Sequence, residues 1–412
     1  LFTNAVSCYP VSSPARGILM SGMYPMNNKV IGNCNSDTAP YGVELPETAR
    51  CWSDVLKDKN YRTGYVGKWH LDSPYKPYVD TYNNRGETAW NEWCPPERRH
   101  GFDFWVAYGT YDNHLNPMYW ETAAPRDSFF YAHKWGPEYE VDRAIEFLSE
   151  QKKSSSPFAL VVSMNPPHTG YDLVPDKYKE IYKHLNVESL CENRPDIPAK
   201  GTEMGDYYAC MTGVDENVGR LIEELKRLKL FDNTIVVFTS DHGICMGVHH
   251  SAGKDIYYEE SMKVPMIISW PQQIKPRVDN HTMIAFGDMY PTLLSMMGFS
   301  KDIPQEVQTF DFANSILSGK ADKKTVQPYY RVQPDNPTTG YRGLRTSKYT
   351  FAVHATNGKI DRTVLFDRDK DPYEMKNIAT ERPKLVRALH KQLREWLMQT
   401  NDPFAAYLPK KQ

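Results

Sequence analysis

Apolar residues recur along this chain in two rhythms that predict alternating helices and strands. Thr48–Lys57 reads as a helix just after Pro46, and Arg62–Val66 as the strand that follows. Val141, Ile145 and Leu148 share one face of a helix predicted over Glu140–Glu150, which leads into the continuous apolar run Phe158–Ser163. Such a run is the pattern of a strand buried on both faces of a parallel sheet. The strongest helical period covers about Asp206–Leu230, where Tyr207, Met211, Val214, Val218, Leu221, Leu225 and Leu228 step by four and three. Strands follow at Thr234–Thr239 and Val264–Trp270, then a helix near Tyr290–Met297. Alternation of this kind predicts an α/β fold with a mostly parallel sheet flanked by helices.

Two stretches break the rhythm. Residues 72–136 are rich in Trp, Tyr, Pro, Asn and charge and read as a long ordered excursion. Beyond about residue 322 come short strands at Tyr341–Leu344, Tyr349–Val353 and Thr363–Phe366. A terminal helix then carries Leu385, Leu389, Leu393 and Leu397. The predicted division is a main domain over 1–321 and a smaller α+β subdomain over 322–412.

Composition narrows the class. With 40% hydrophobic residues, Trp 9 and Tyr 27 among 412 residues, the chain has the material for a real core. Lys+Arg 49 against Asp+Glu 51 leaves a net charge of −2, so there is no general basic field for nucleic acid. Mean hydropathy is −0.62, and no apolar run approaches the ~20 residues of a membrane span. The seven cysteines are scattered, odd in number and form no C-x-x-C pair. That pattern argues against a zinc site or a dense disulfide framework and leaves one or two bridges open.

The chemistry begins at Ser12-Ser13-Pro14-Ala15-Arg16, with Ser21-Gly22 further on. Here the chain resembles the type I sulfatases of the alkaline phosphatase superfamily, whose signature is Cys or Ser, any residue, Pro, any residue, Arg, then Thr/Ser-Gly. Ser12 takes the leading place. Cys8 also has a proline two residues on, but Ser12 stands where the Arg is required. Ser12-Ser13-Pro14 reads at the same time as an N-cap opening a helix at Ala15. The resemblance implies that Ser12 is oxidised to formylglycine by a maturation enzyme, because a bare serine hydroxyl is a poor nucleophile without an activating base.

Further matches follow in family order. Thr63–His70 is similar to the sulfatase strand-end that brings a Lys and a His to the sulfate, here Lys68 and His70, which alternation would place on one side. His168, in Asn165-Pro166-Pro167-His168, matches the family's leaving-group histidine. Asp241-His242 closes a strand and matches the metal site, implying one divalent cation, Ca²⁺, held by Asp241, His242 and position 12. Hard cations favour oxygen, which makes the imidazole an unusual neighbour. Lys254 matches the second sulfate-binding lysine. Around Arg345–Tyr349 and Leu365–Asn377 the chain resembles the family's terminal sheet.

The resemblance implies an alkaline-phosphatase-like core that hydrolyses a sulfate ester through a formylglycine sulfo-enzyme. Ser12, Arg16, Lys68, His70, His168 and Lys254 form the expected catalytic set. The aromatics Trp90, Trp93, Trp105, Tyr108, Tyr111 and Trp120, with Asp112 and His114, are expected to wall a sugar site. His250 is the further substrate contact; the His249-His250 pair reads equally well as packing. The implied substrate is a sulfated carbohydrate such as a glycosaminoglycan fragment, and the implied location periplasmic or secreted. A phosphonate or phosphodiester hydrolase of the same superfamily, or a non-catalytic glycan-binding relative, fits the same scaffold. Sulfatases open with a strand ending in two consecutive Asp residues. Nothing like it precedes Ser12, so that first strand is expected to be missing from this sequence.

Overall fold

The computed structural model describes residues 1–187, 201–251, 253–322 and 326–409, with backbone only at 201–202. Cys191 lies outside the described residues; the other six cysteines are buried. The elements that position the site are β1 (Ala5–Val6), α1 (Ser12–Ser21), α2 (Trp52–Asp58), β2 (Arg62–Lys68), β3 (Phe104–Tyr108), β4 (Met118–Glu121), β5 (Phe130–Tyr131), α3 (Gly136–Gln151) and β6 (Phe158–Ser163). After them come α4 (Gly201–Arg227), β7 (Val236–Thr239), β8 (Met266–Ser269), β9 (Ile284–Ala285), α5 (Met289–Met296), β10 (Val326–Gln333), β11 (Asn336–Thr346), β12 (Tyr349–Thr356), β13 (Lys359–Asp367) and α6 (Pro383–Gln399).

The main sheet has the order β5-β4-β3-β2-β6. β2 runs parallel to β3 and to β6, whereas β4 and β5 extend the sheet antiparallel. Gly67, in left-handed backbone at φ 102, lets β2 approach β6 where a Cβ would strike the Ser163 carbonyl. The fold is the α/β architecture expected, with two departures. The aromatic excursion is part of the sheet, because its sequence supplies β3, β4 and β5. Trp105, Tyr108, Tyr111 and Trp120 are therefore buried core residues and wall no substrate; Trp90 and Trp93 stay partly exposed. β8 pairs antiparallel with β7, since the connection between them holds no crossover helix longer than the turn Glu259–Met262.

Local chemistry explains shifted boundaries. α2 starts at Trp52 and not Thr48, because the Asp54 carboxylate accepts the Cys51 N–H at 2.8 Å and fixes the cap there. α3 starts earlier than its apolar period, with Pro137 in the first turn, where its missing N–H costs nothing.

β10 to β13 form a four-stranded antiparallel sheet. α6 packs on it through Leu389, Leu393 and Leu397. One apolar cluster joins Val6, Tyr9, Val11 and Ile18 to Leu344, Phe351, Leu365 and these α6 leucines. The beginning of the chain, α1 included, thus rests on its end. Arg342 and Asp402 form an ion pair whose side chains are both fully buried. Asp255 accepts from Arg331 at 2.8 Å, and Glu259 from Arg345 at 2.9 Å, tying the loop before β8 to the terminal sheet.

Among the described residues, β6 is paired only to β2 and β7 only to β8. Between them lies a cavity of about 1560 Å³, lined by residues 157–164 on one side and 233–244 on the other. This is why β6, read as a fully buried strand, is half-buried throughout its length. Among the described residues, no helix is long and apolar enough to cross a membrane.

Candidate active site

Segments far apart in sequence meet where β2, β6 and β7 end, the carboxyl edge at which α/β sheets bind ligands. β2 ends in Lys68, β6 leads to Asn165 and His168, and β7 to Asp241 and His242. α1 points its N-terminus at the same place. Its N-cap is Val11, which makes no side-chain cap, and the helix begins at Ser12 and not Ala15. The Ser12 hydroxyl is therefore not spent on its own backbone, and it sits at the positive end of the helix.

Ser12, 2% exposed, has its Oγ 3.3 Å from His242 Nε2 and 3.4 Å from Lys254 Nζ. Lys254 Nζ is also 3.0 Å from His242 Nε2. His242 Nδ1 donates to the Gly243 carbonyl at 2.8 Å, which leaves Nε2 as the acceptor facing Ser12. Burial pulls His242 down to about 3 despite Asp241, so the ring is neutral. Arg16 is the hub of the strand ends. It donates to Asp241 Oδ2 at 3.1 Å, to the Lys68 carbonyl at 2.8 Å and to Ser163 Oγ at 2.7 Å. Burial opposes the charge of Asp241, but His242, Arg16, Lys254 and Lys68 together hold its carboxyl well below the usual range.

A second row of contacts runs away from Ser12. Lys68 Nζ donates to Asn165 Oδ1 at 3.0 Å. Asn165 Nδ2 donates to the Tyr111 carbonyl at 2.8 Å and to Asp112 Oδ1 at 3.2 Å. The same Asp112 oxygen lies 2.9 Å from His168 Nδ1. Burial first, then Arg16 and Lys254, lower Lys68 from 10.5 to about 7. Burial and Lys68 lower His168 to about 4 against the pull of Asp112. Lys254 at the Ser12 hydroxyl, with Arg16 bound to the Lys68 carbonyl and both close enough to Lys68 to repel its charge, makes this an anion site.

Ser12, Arg16, Lys68, His168, Asp241, His242 and Lys254 are all brought together. Four other predicted positions differ. β2 stops at Lys68 and His70 lies in left-handed backbone at φ 55, so strand alternation does not aim it. Its Nε2 bonds the Cys34 carbonyl at 3.1 Å, its buried Nδ1 has no partner, and burial with Lys68 and Arg16 keeps it well below its ordinary pKa. His114, 2% exposed, holds the Thr169 carbonyl at 2.9 Å and braces the His168 loop from inside; it has no surface for a substrate. Asp112 is occupied by His168 and two asparagines and is no free sugar contact. His250 is exposed, while His249 stacks on Tyr258 with ring centres 3.5 Å apart. Sequence reasoning missed Asn165, Asn83 and Ser163; the Asn-Pro-Pro-His run was the signal for Asn165.

Asp241 and position 12 offer oxygens to a cation, with the His242 nitrogen between them. Ca²⁺ takes six to eight oxygens, more than these residues offer by themselves. Among the described residues, the group of three ligand-type side chains within 4.8 Å of one another is Cys51, Asp54 and His100. There Asp54 already serves as the cap of α2, and none of the predicted metal residues belongs to it.

Residues 1–299 match the family model for sulfatases, and residues 247–402 match that for the C-terminal region of N-sulphoglucosamine sulphohydrolase. The chain is 33% identical to an endo-4-O-sulfatase of Bacteroides thetaiotaomicron, over 98% of this chain and 84% of that one. It is 32% identical to an ulvan-active sulfatase of Formosa agariphila, over 98% of this chain and 75% of that one. The solved structure of yidJ from Bacteroides fragilis superposes with a TM-score of 0.96 at 70% identity, covering 99% of this chain and 90% of that one.

Proposed function

Since the chain belongs to the sulfatase family and is a sulfuric ester hydrolase, we propose that it removes sulfate from a sulfated carbohydrate, with Ser12 as the precursor of its nucleophile. The observation that carries the reading is Lys254 at 3.4 Å from the Ser12 hydroxyl, with Arg16 and Lys68 in the same cationic cluster. The carbohydrate substrate is supported by the endo-4-O- and ulvan-active relatives. Trp90 stays partly exposed, with its ring 6.3 Å from that of His70.

Each residue has a task that its contacts favour. Arg16, Lys68 and Lys254 offset the charge of the sulfate oxygens in a site mostly shielded from water. His242, with Nε2 bare, accepts the proton of the position-12 hydroxyl. His168 gives a proton to the departing sugar oxygen. The bare Nδ1 of His70 is the acceptor for the proton lost when sulfate leaves. Formylglycine at position 12, made by a separate maturation enzyme, supplies a hydrated aldehyde as nucleophile and a second hydroxyl for release. Ca²⁺ would be held by Asp241 together with further acidic donors. The gap between β6 and β7 ends at Asp241 and Arg16, and an additional strand lying in it could deliver them.

Mass spectrometry of the tryptic peptide containing position 12, after co-expression with a serine-type maturation enzyme, should show a loss of about 2 Da. Ser12→Ala should cost at least ~10³ in turnover. Near-normal turnover in Ser12→Ala would end this reading. Rates on paired sulfate and phosphonate esters separate it from hydrolysis of phosphorus esters.

A further inference from the structure

Asp112 had been expected to meet substrate, and its contacts give it other work. Its carboxylate receives donors on both oxygens. Asn83 Nδ2 donates to Oδ2 at 2.8 Å, and Asn165 Nδ2 to Oδ1 at 3.2 Å. The Asp112 N–H in turn donates to Asn83 Oδ1 at 3.0 Å, so the two residues clasp each other. The amide of Asn165 cannot turn over, because its oxygen accepts from Lys68 and its nitrogen serves the Tyr111 carbonyl as well as Asp112. An ionised carboxylate so held can only accept. His168 Nδ1, 2.9 Å from Oδ1, must therefore carry its hydrogen toward Asp112. Thr169 Oγ1, 3.1 Å from the same nitrogen, can share that hydrogen.

The geometry points to Asp112 as the positioning residue of the leaving-group histidine. It locks His168 in the Nδ1–H tautomer, makes Nε2 the nitrogen that exchanges protons, and stabilises the imidazolium. The inference rests on the proposed acid role of His168. In the step, His168 Nε2 has first taken a proton from solvent, the position-12 nucleophile bonds to sulfur, the S–O bond to the sugar breaks and its electron pair stays on the sugar oxygen. That oxygen takes the proton from His168 Nε2, the alcohol leaves neutral, and the ring is left neutral with Nδ1–H still on Asp112. Lys68 and Lys254 add repulsion to an imidazolium here, and Asp112 is the anion that opposes them. The bound sulfate ester adds negative charge on the other side. Asp112→Asn removes the charge and also fails to pair, since a single amide oxygen cannot serve both asparagine donors.

The test uses the matured enzyme and two esters, a sugar O-sulfate whose alkoxide leaves poorly and 4-nitrophenyl sulfate, whose phenolate needs little protonation. Asp112→Asn should lose roughly 100-fold in kcat on the sugar sulfate and less than about threefold on the nitrophenyl ester. Combined with His168→Ala it should add almost nothing further. Equal losses on both esters for Asp112→Asn, with His168→Ala still selective, overturn this inference alone. A His168→Ala that is itself unselective overturns the acid role and this inference with it. One readout needs no variant to fold with activity. Nitrogen-15 NMR of the wild-type His168 ring at neutral pH should show a protonated Nδ1 and a bare Nε2, and the opposite tautomer overturns the assignment.

Discussion

Replacing Lys68 by Met should make the protein more stable at pH 6 and nearly useless as a catalyst. The lysine is held down from 10.5 to about 7 by burial beside Arg16 and Lys254. At about 1.36 kcal/mol per unit, keeping its ammonium protonated in the folded state costs about 5 kcal/mol. Methionine fills a similar volume without that charge but leaves Asn165 Oδ1 without its donor, a loss of about 1–3 kcal/mol. The net at pH 6 is a gain of about 2–4 kcal/mol. The sign depends on pH. Between about pH 7 and 10.5 the unfolded lysine binds a proton that the folded one does not, so wild-type stability rises across that window. Below pH 7 both states are protonated and the penalty is complete; above 10.5 it is gone. The advantage of Lys68→Met should shrink as pH rises and turn into a loss of about 1–3 kcal/mol near pH 10.5. Urea unfolding at pH 6, 8 and 10 measures this directly. Turnover at pH 6 should fall by about 10³, because an ammonium ~4 Å from a sulfate oxygen contributes about 4 kcal/mol at an effective dielectric of 20. A variant that is destabilised equally at pH 6 and pH 10 would show that Lys68 bears no desolvation strain, and the argument would fall.

Other substitutions probe the remaining parts. Asp241→Asn should lower calcium affinity by at least ~10-fold in titration calorimetry, with turnover falling in step; unchanged affinity would remove Asp241 from the cation. Arg342→Met leaves the fully buried Asp402 uncompensated and should cost about 3–5 kcal/mol in urea unfolding, and a cost below ~1 kcal/mol would contradict that burial. His250→Ala, at an exposed position, should change KM for a sugar sulfate while leaving stability within about 0.5 kcal/mol; an unchanged KM would strike His250 from the substrate contacts.

What could be read from sequence alone was whatever a single segment displays. Phe158–Ser163 announces a strand by its unbroken apolar run, and Ser12, Lys68, His168 and Asp241 each lie at the end of such a signal. Relations between segments were hidden. Asp112 and His168 are neighbours only because Gly67 and Ser163 let β2 and β6 lie close, bringing the two loops together. The excursion rich in Trp and Tyr looked like loop because its strands are short and its polar residues many. Pairing of β3 with β2, and of β4 with β3, decides that Trp105 and Trp120 face inward. His70 was misjudged in its geometry, since a period of two stops meaning anything once the strand ends at Lys68.

The resting of α1 on the terminal sheet sets a clock on the nucleophile. The partners of Val11 and Ile18 in their apolar cluster are residues as late as Leu393, Leu397 and Leu408. A ribosome emits the chain from its beginning, so the segment around Ser12 appears first and finds its packing surface almost last. Until the segments that bury it have folded, those carrying His242 and Lys254 among them, position 12 is accessible; in the folded protein it is 2% exposed. An enzyme that acts on this side chain would therefore have to reach it during synthesis and not in the finished protein. A slow reaction there would be overtaken by folding.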